Sequence, residues 1–360
     1  MRFSIYMNPQ TTGPDQDVEI IEENIRQVSK VIDAGFDGVV LTEHHFSEYN
    51  TYGDNILMAS HLAGRLRPGV KFLLSAVIPP LHNPMRLAQQ LNLLDIVSQG
   101  NAIVGFGSGG SPVEFSGLGR KPKDRYEDRD QVLDAMTKVM LKDKADPPLE
   151  WKTRYGSGTV YTRIMPSGYN RRVQPFARAV TQDENARKAG EDGMYLFSGR
   201  TTLEETARRQ DAYREGLEST DLPASEIDDR LNWSFHQKNV VVAPTDEEAR
   251  EESYRRIAIL EEYNGGLQEL MSGVEGADAL RPVITVGNVS PEAFFNKSFI
   301  AGSPETVRAE LQRYAEIGIR HMALYFNFGF MPSEISDRSI DLFLDEVLPH
   351  LSTGSLAQVD

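Results

Sequence analysis

Short apolar runs alternate with longer amphipathic segments along most of the chain. This pattern specifies a parallel α/β fold rather than separate blocks of strands and helices. Eight runs read as strands: Phe3 to Met7, Gly38 to Thr42, Phe72 to Ile78, Ala102 to Gly107, Phe176 to Val180, Met194 to Phe197, Phe235 to Val242 and His321 to Phe326. Between the first two, Val18, Ile21, Ile25, Val28, Val31 and Ile32 recur at spacings of three and four and predict a helix that Ala34-Gly35 ends. Ser303-Pro304-Glu305 predicts another helix start, with a capping serine, a proline in the first turn and an acid at the positive dipole end; that helix runs to about Ile317. Eight such units fit a closed TIM (β/α)8 barrel. The competing doubly wound sheet would place a phosphate loop directly after the first strand, where the chain instead reads Asn8-Pro9-Gln10-Thr11-Thr12-Gly13-Pro14. From 263 to 290 glycines recur and the period is lost. This stretch reads as an insertion with a short helix around Leu267 to Met271, for which a mobile lid and a static surface excursion both fit. The expected organisation is one barrel domain over 1–351 and a flexible tail over 352–360.

Composition narrows the chemistry. The chain has 360 residues, a net charge of −15 and no cysteine, which removes disulfides, thiolate nucleophiles and cysteine-bound metals. The negative balance argues against nucleic acid or anionic membrane as a partner, since both require a sustained positive surface. No apolar run of about 18 residues is present to span a bilayer. The opening strand is interrupted by Asn8-Pro9 too early for a secretory signal. A cytoplasmic location is the expectation.

Val39-Val40-Leu41-Thr42 leads straight into Glu43-His44-His45-Phe46, so polar groups stand at the C-terminal end of a buried strand, where barrel enzymes place their active sites. Neighbouring residues of an extended chain point to opposite sides, so His44 and His45 do not both face one ligand without a local twist. Histidine and glutamate suit a metal, but adjacent positions lack the one-face helical spacing of chelating pairs, and no metal is expected. A histidine acting as base or donor beside an organic cofactor is the sharper reading. A solvated or core histidine pair is the plainer one.

Four ordered blocks carry a resemblance. Val40-Leu41-Thr42-Glu43-His44-His45-Phe46, Pro79-Pro80-Leu81-His82-Asn83-Pro84-Met85-Arg86-Leu87-Ala88, Leu94-Asp95-Ile96-Val97-Ser98-Gln99-Gly100 and Ala301-Gly302-Ser303-Pro304-Glu305-Thr306-Val307 together resemble the bacterial luciferase family of flavin-dependent monooxygenases. The closing Val347-Leu348-Pro349-His350-Leu351 also resembles the end of family members. The resemblance implies a barrel that receives reduced FMN from a separate flavin reductase, binds O2 as a flavin C4a-hydroperoxide and passes one oxygen atom to an apolar organic substrate. It implies a catalytic role for His44, with His45 as its support. Glu43 either orients the imidazoles or is satisfied by barrel arginines. Ser75-Ala76 matches the place of a non-prolyl cis peptide behind the flavin, against the plainer reading of a small-residue strand end. Gly107 in Gly105-Phe106-Gly107-Ser108-Gly109-Gly110 would let the backbone approach the cofactor, although the run is also an ordinary glycine turn.

The phosphate pocket departs from the family. Luciferases carry a phosphate-binding arginine where this chain has Ser108. Arg178, Ala179 and Thr181 fall in the other phosphate segment, ahead of a helix from Glu184 whose amides would face the anion. Arg178 is the expected clamp, and Arg171, Arg172 and Arg187 lie near it in sequence. Tyr6, Phe46, Tyr52, Phe326 and Phe328, at or just beyond strand ends, are candidates to line an apolar substrate cavity, although most aromatics so placed are core. Two other readings stand beside the monooxygenase: a deazaflavin (F420)-dependent oxidoreductase, and a non-catalytic flavin-binding subunit. A homo- or heterodimer is implied by the resemblance.

Overall fold

A computed structural model describes residues 1–169, 176–180, 182–274 and 289–351. The strands are β1 (Arg2–Met7), β2 (Gly38–Leu41), β3 (Lys71–Val77), β4 (Ala102–Phe106), β5 (Leu149–Thr153), β6 (Gly156–Val160), β7 (Phe176–Ala179), β8 (Tyr195–Gly199), β9 (Phe235–Val242), β10 (Phe299–Gly302) and β11 (His321–Tyr325). The helices are α1 (Asp17–Asp33), α2 (Asn55–Ala63), α3 (Pro84–Val97), α4 (Pro112–Gly117), α5 (Arg125–Leu141), α6 (Asp183–Glu191), α7 (Leu203–Glu218), α8 (Ala224–Trp233), α9 (Asp246–Met271), α10 (Pro291–Ser298), α11 (Pro304–Glu316) and α12 (Ser333–Leu342).

The strand order is β10-β9-β11-β1-β2-β3-β4-β7-β8, and β8 also pairs with β9, so the order closes. Eight parallel strands in this order are the topology of a TIM barrel, with β10 as an additional strand beside β9. All eight expected strands are present within a residue or two of their expected bounds. They were visible because parallel strands covered on both faces are continuous apolar runs; every residue of β2 and of β11 is buried. Three elements depart from expectation. β10 and the antiparallel hairpin β5–β6 were not anticipated, and no separate helix forms at 267–271, because α9 runs unbroken to Met271. Residues 275–288 of the expected insertion, and the expected tail at 352–360, lie outside the described residues.

The chain forms two compact units. The first comprises 1–40, 177–262 and 286–360. Within it β1 pairs with β11 from Arg2↔His321 to Ile5↔Leu324, and β11 with β9 from Met322↔His236 to Tyr325↔Asn239. Helix α1 buries Val28, Val31 and Ile32 and ends at Gly35, whose φ of +115 suits glycine, whereas Val18, expected on the buried stripe, is exposed. Ser303 caps α11 as expected, accepting from the Thr306 amide. Helices α6 and α7 touch backbone to backbone: a Cβ on Gly190 would stand 2.4 Å from the Tyr213 carbonyl oxygen. The second unit comprises 41–176 and 263–285 and holds β3, β4, the hairpin and α2 to α5. Its small cluster of Ile78, Leu81 and Phe115 lies beside the residues of the site below. Among the described residues no helix is long and apolar enough to cross a membrane.

Candidate active site

The run after β2 turns at Phe46, which adopts a φ of +54. Thr42 is fixed first. Its backbone N–H donates to the Tyr52 hydroxyl at 2.8 Å, and its side-chain oxygen accepts from Asn50 at 2.8 Å. Tyr52, expected to line substrate, therefore has its hydroxyl engaged with the backbone that carries the histidines, and burial pushes that phenol up to about 12.

Glu43 follows as a sealed carboxylate. Its Oε1 lies 2.9 Å from His45 Nε2 and 2.8 Å from His82 Nε2, while Oε2 accepts the Ile78 backbone N–H at 2.9 Å. Burial alone would push this carboxyl up, but the imidazoles of His82 and His45 overcome it and hold the group at about 2. For His45 and His82 burial disfavours the cation, yet the Glu43 carboxylate outweighs it, and both lie above the ordinary histidine value. Among the described residues the hydrogen-bonding partners of Glu43 are His45, His82 and the Ile78 backbone N–H, an arrangement that orients the two imidazoles.

His44 diverges from its neighbour. Its Nδ1 lies 3.0 Å from Oε1 of Glu114, a residue of α4 with 2% exposure, and the same oxygen accepts the His45 backbone N–H at 3.2 Å. A carboxylate only accepts, so Nδ1 is the protonated nitrogen and Nε2 is the atom left to act. Among the described residues Nε2 has no hydrogen-bond partner, and the side chain keeps 17% of its surface open. Tyr49 stands edge-on to the imidazole at 5.0 Å. The two adjacent histidines are therefore divided between two buried carboxylates, as opposite-facing neighbours require.

Beside Glu43, β3 ends in a cis peptide between Ser75 and Ala76. The Ala76 carbonyl accepts from buried Asn55 at 3.4 Å, and the β3–β4 register shifts between Leu74 and Val77. Gly107 donates its N–H to the Val77 carbonyl at 2.9 Å; a Cβ on it would stand 3.1 Å from Ile78 Cδ1 and 3.5 Å from the Ala76 Cβ. The structure thus brings Ala76 and Gly107 together on one wall, with Ser108 following at intermediate exposure. At the end of the same glycine run, the Ser111 hydroxyl is buried and has no hydrogen-bond partner among the described residues. Phe46 is exposed, its ring lying against Gly117, where a Cβ would come within 2.4 Å.

The remaining candidates belong to the first unit and do not all keep their expected roles. Arg178 is corrected: its guanidinium bonds the Asp192 carboxylate at 2.9 Å, past the C-terminal end of α6, not the N-terminal end whose amides were expected to face phosphate. A strand side chain directed at that end cannot also reach the helix N-terminus. At the N-terminal end stands Arg209, which sequence reasoning missed; it donates to Ser198 at 2.7 Å and lies 3.6 Å from Asp183. Ala179 is exposed, and Thr181, Arg171 and Arg172 lie outside the described residues. Phe326 is corrected from cavity wall to core: it is fully buried, and its ring meets Phe343 edge-on in a cluster with Phe3 and Phe36. Phe328 is also buried and packs on Phe294, Phe299 and Tyr325, while Tyr6 lies tilted over Tyr325 at 5.2 Å. Sequence reasoning likewise missed Glu114 and the part played by His82. The one local sign was a glutamate among the apolar residues of Pro112-Val113-Glu114-Phe115.

The family model of luciferase-like monooxygenases matches residues 1–321. The chain belongs to the luciferase-like monooxygenase family. Within that family it is similar to limonene 1,2-monooxygenase of Rhodococcus erythropolis, 22% identical over 94% of this chain and 81% of that protein. It is also 30% identical to the uncharacterized protein y4vJ of Sinorhizobium fredii (strain NBRC 101917 / NGR234), over 55% of each chain, so that match spans about half of that relative. Its fold is shared with three solved structures. One is monooxygenase RslO1 from Streptomyces bottropensis (TM-score 0.74, 23% identity, 97% of this chain and 99% of that one). The second is the oxygenating constituent of 3,6-diketocamphane monooxygenase of Pseudomonas putida in complex with FMN (0.71, 19%, 97% and 98%). The third is an F420-dependent secondary alcohol dehydrogenase (0.68, 17%, 97% and 98%).

Proposed function

We propose that this luciferase-like monooxygenase is the oxygenating component of a two-component system, taking reduced FMN from a separate flavin reductase and using O2 to oxygenate a small apolar organic substrate. The observation that carries the reading is the His44–Glu114 pair, an imidazole anchored through one nitrogen by a buried carboxylate with the other left to act.

The residues fit a flavin. Ala76 and Gly107 offer an apolar wall that a side chain at position 107 would fill, and the Ser111 hydroxyl is a buried polar atom still lacking a partner. Ser75, Ala76, Gly107, Ser108 and Ser111 would hold the cofactor. When bound, reduced flavin supplies the electrons that activate O2. His44 Nε2 would hold or take a proton at the reacting group, while Glu114 keeps the imidazole in one tautomer and orientation. Glu43, His45 and His82 brace the turn that aims it. An apolar substrate accords with relatives named for limonene and diketocamphane. Exposed Leu57 on α2, with Leu93, Ile96 and Val97 on α3, supports a dimer through barrel helices.

A second reading, a deazaflavin-dependent oxidoreductase, is favoured by the F420-dependent structural relative, while Ser108 in place of an arginine and the commitment of Arg178 to Asp192 weigh against the deeper basic pocket that its longer acidic cofactor tail calls for. A non-catalytic flavin-binding subunit would have no use for the anchored His44. Anaerobic titration with reduced FMN and with reduced F420 separates the first two: tighter binding of FMN supports the proposal, and tighter binding of F420 overturns it.

A further inference from the structure

A pocket of about 330 Å3 lies wholly within the first unit, and the proposed chemistry does not use it. The segment after β1, the first turns of α1 and the segment between β11 and α12 form it. Three lining side chains are carboxylates, Glu19, Glu23 and Glu334, and none is lysine, arginine or histidine. Such a chamber selects cations.

Gln10 gives an independent pointer. Its side chain lines the pocket at 6% exposure; Oε1 accepts the Phe330 backbone N–H at 2.7 Å, whereas Nε2 is buried with no hydrogen-bond partner among the described residues. A buried donor without an acceptor is costly in a folded protein and is met by an acceptor atom of a ligand. Glu23 accepts from the Ser333 hydroxyl through Oε2. Its carboxyl lies above its ordinary value, first through burial and then through Glu19, against the opposing pull of Arg26, with Asp337 and Glu334 adding to the rise. Arg26 itself is paired with Asp337. Negative charge therefore accumulates around the pocket without a lining cation to offset it.

The spacing of the acids decides between ion types. Among the described residues no three acids or histidines stand close enough to hold one metal ion. A divalent ion needs several oxygens converging on it, whereas an ammonium group is satisfied by a single carboxylate and leaves its hydrocarbon arm to reach elsewhere in the pocket. Ile20, Phe330 and Met331 supply apolar wall for a hydrocarbon arm.

We propose that this pocket binds a small amino alcohol, its ammonium paired with the half-buried Glu23, with Glu19 and Glu334 adding attraction at longer range, and its hydroxyl oxygen accepting from Gln10 Nε2. The proposal does not rest on the monooxygenase reading.

Calorimetric titration of the full chain with 5-aminopentan-1-ol tests it, with pentylamine, pentan-1-ol and magnesium chloride as comparison probes. Saturable one-to-one binding is expected, weaker for pentylamine and weaker still for pentan-1-ol, and reduced roughly tenfold by Glu23→Gln. Added salt weakens it as well. Gln10→Leu should erase the advantage of the amino alcohol over pentylamine. Should that variant not fold, Glu334→Gln at the exposed rim should weaken both amines together. No saturable heat with the amino alcohol, equal binding of magnesium, or unchanged affinity in Glu23→Gln overturns the proposal.

Discussion

His44 and Glu114, 70 positions apart, meet through a 3.0 Å contact between Nδ1 and a carboxylate oxygen that is almost fully buried. On the proposed function Glu114 would be a positioning residue, acting through the histidine rather than on substrate. Glu114→Ala should lower kcat with little change in KM, because it frees the ring to rotate without removing a substrate contact. Glu114→Gln, which keeps an acceptor oxygen, should restore part of the rate. Steady-state kinetics of both variants check this, and a selective rise in KM in Glu114→Ala would count against it.

On the same proposal His44 itself should carry the larger effect. Replacing a proton-transferring side chain costs about 10²–10⁴-fold in rate, and His44→Ala should fall in that range with flavin binding largely kept. Turnover in a reductase-coupled assay is the measurement; intact turnover in His44→Ala would remove the assignment.

The Glu43 cluster predicts a pH window for stability. A carboxyl held at about 2 when folded contributes stability that is complete above its ordinary value near 4.5 and is lost as pH falls toward 2. His45 and His82 are raised when folded, so their contribution is complete below 6.5 and is lost as pH rises through their folded values. Melting temperature should therefore peak between about 4.5 and 6.5 for this cluster, on the ordinary pKa scale. His82→Gln should flatten the alkaline limb in a melting series across pH, and an unchanged limb would contradict the assignment. Glu43→Gln, which strips the charge from a buried site facing two imidazoles, should destabilise by about 3–5 kcal/mol in chemical denaturation.

Arg178 gives a prediction of small effect. Because its guanidinium is partly exposed and engaged with Asp192, Arg178→Ala should change stability by about 0–1 kcal/mol. Reduced-FMN affinity should be nearly unchanged. A large loss of FMN affinity by fluorescence titration would return Arg178 to the phosphate site.

Packing of α6 on α7 is equally testable. At Gly190 a methyl group would press into the Tyr213 carbonyl and the backbone of Gly216 and Leu217, where there is nothing flexible to yield. Gly190→Ala should cost about 1–3 kcal/mol or more through overpacking, read as a shift in denaturation midpoint at constant slope. A neutral result would mean that the two helices pack less closely.

Much of the fold was legible in the sequence because its strands are buried on both faces and stand out as continuous apolar runs. β10 did not, since Phe299-Ile300-Ala301-Gly302 is four residues lodged between two helices. The β5–β6 hairpin alternates half-buried positions with Glu150 and Lys152, against a glycine-containing partner strand that gives little apolar signal. At the site, the run from Thr42 to Phe46 drew attention by its place after a buried strand. Its partners were hidden because hydrogen bonds linking His44 to Glu114 and Glu43 to His82 span 70 and 39 positions and leave no local period. Arg178 misled for a related reason: its position in the strand was readable, but the end of α6 to which it turns was not.

The most direct test of the central claim is oxygen-isotope incorporation. The chain, a flavin reductase, NADH, FMN and a panel of small apolar substrates are incubated under ¹⁸O2, and products are analysed by mass spectrometry. The account predicts one ¹⁸O atom in the product of at least one substrate, at a rate that His44→Ala lowers about 10²–10⁴-fold. Product formed at equal rate by His44→Ala, or substrate oxidised without label when F420 replaces FMN, would contradict it.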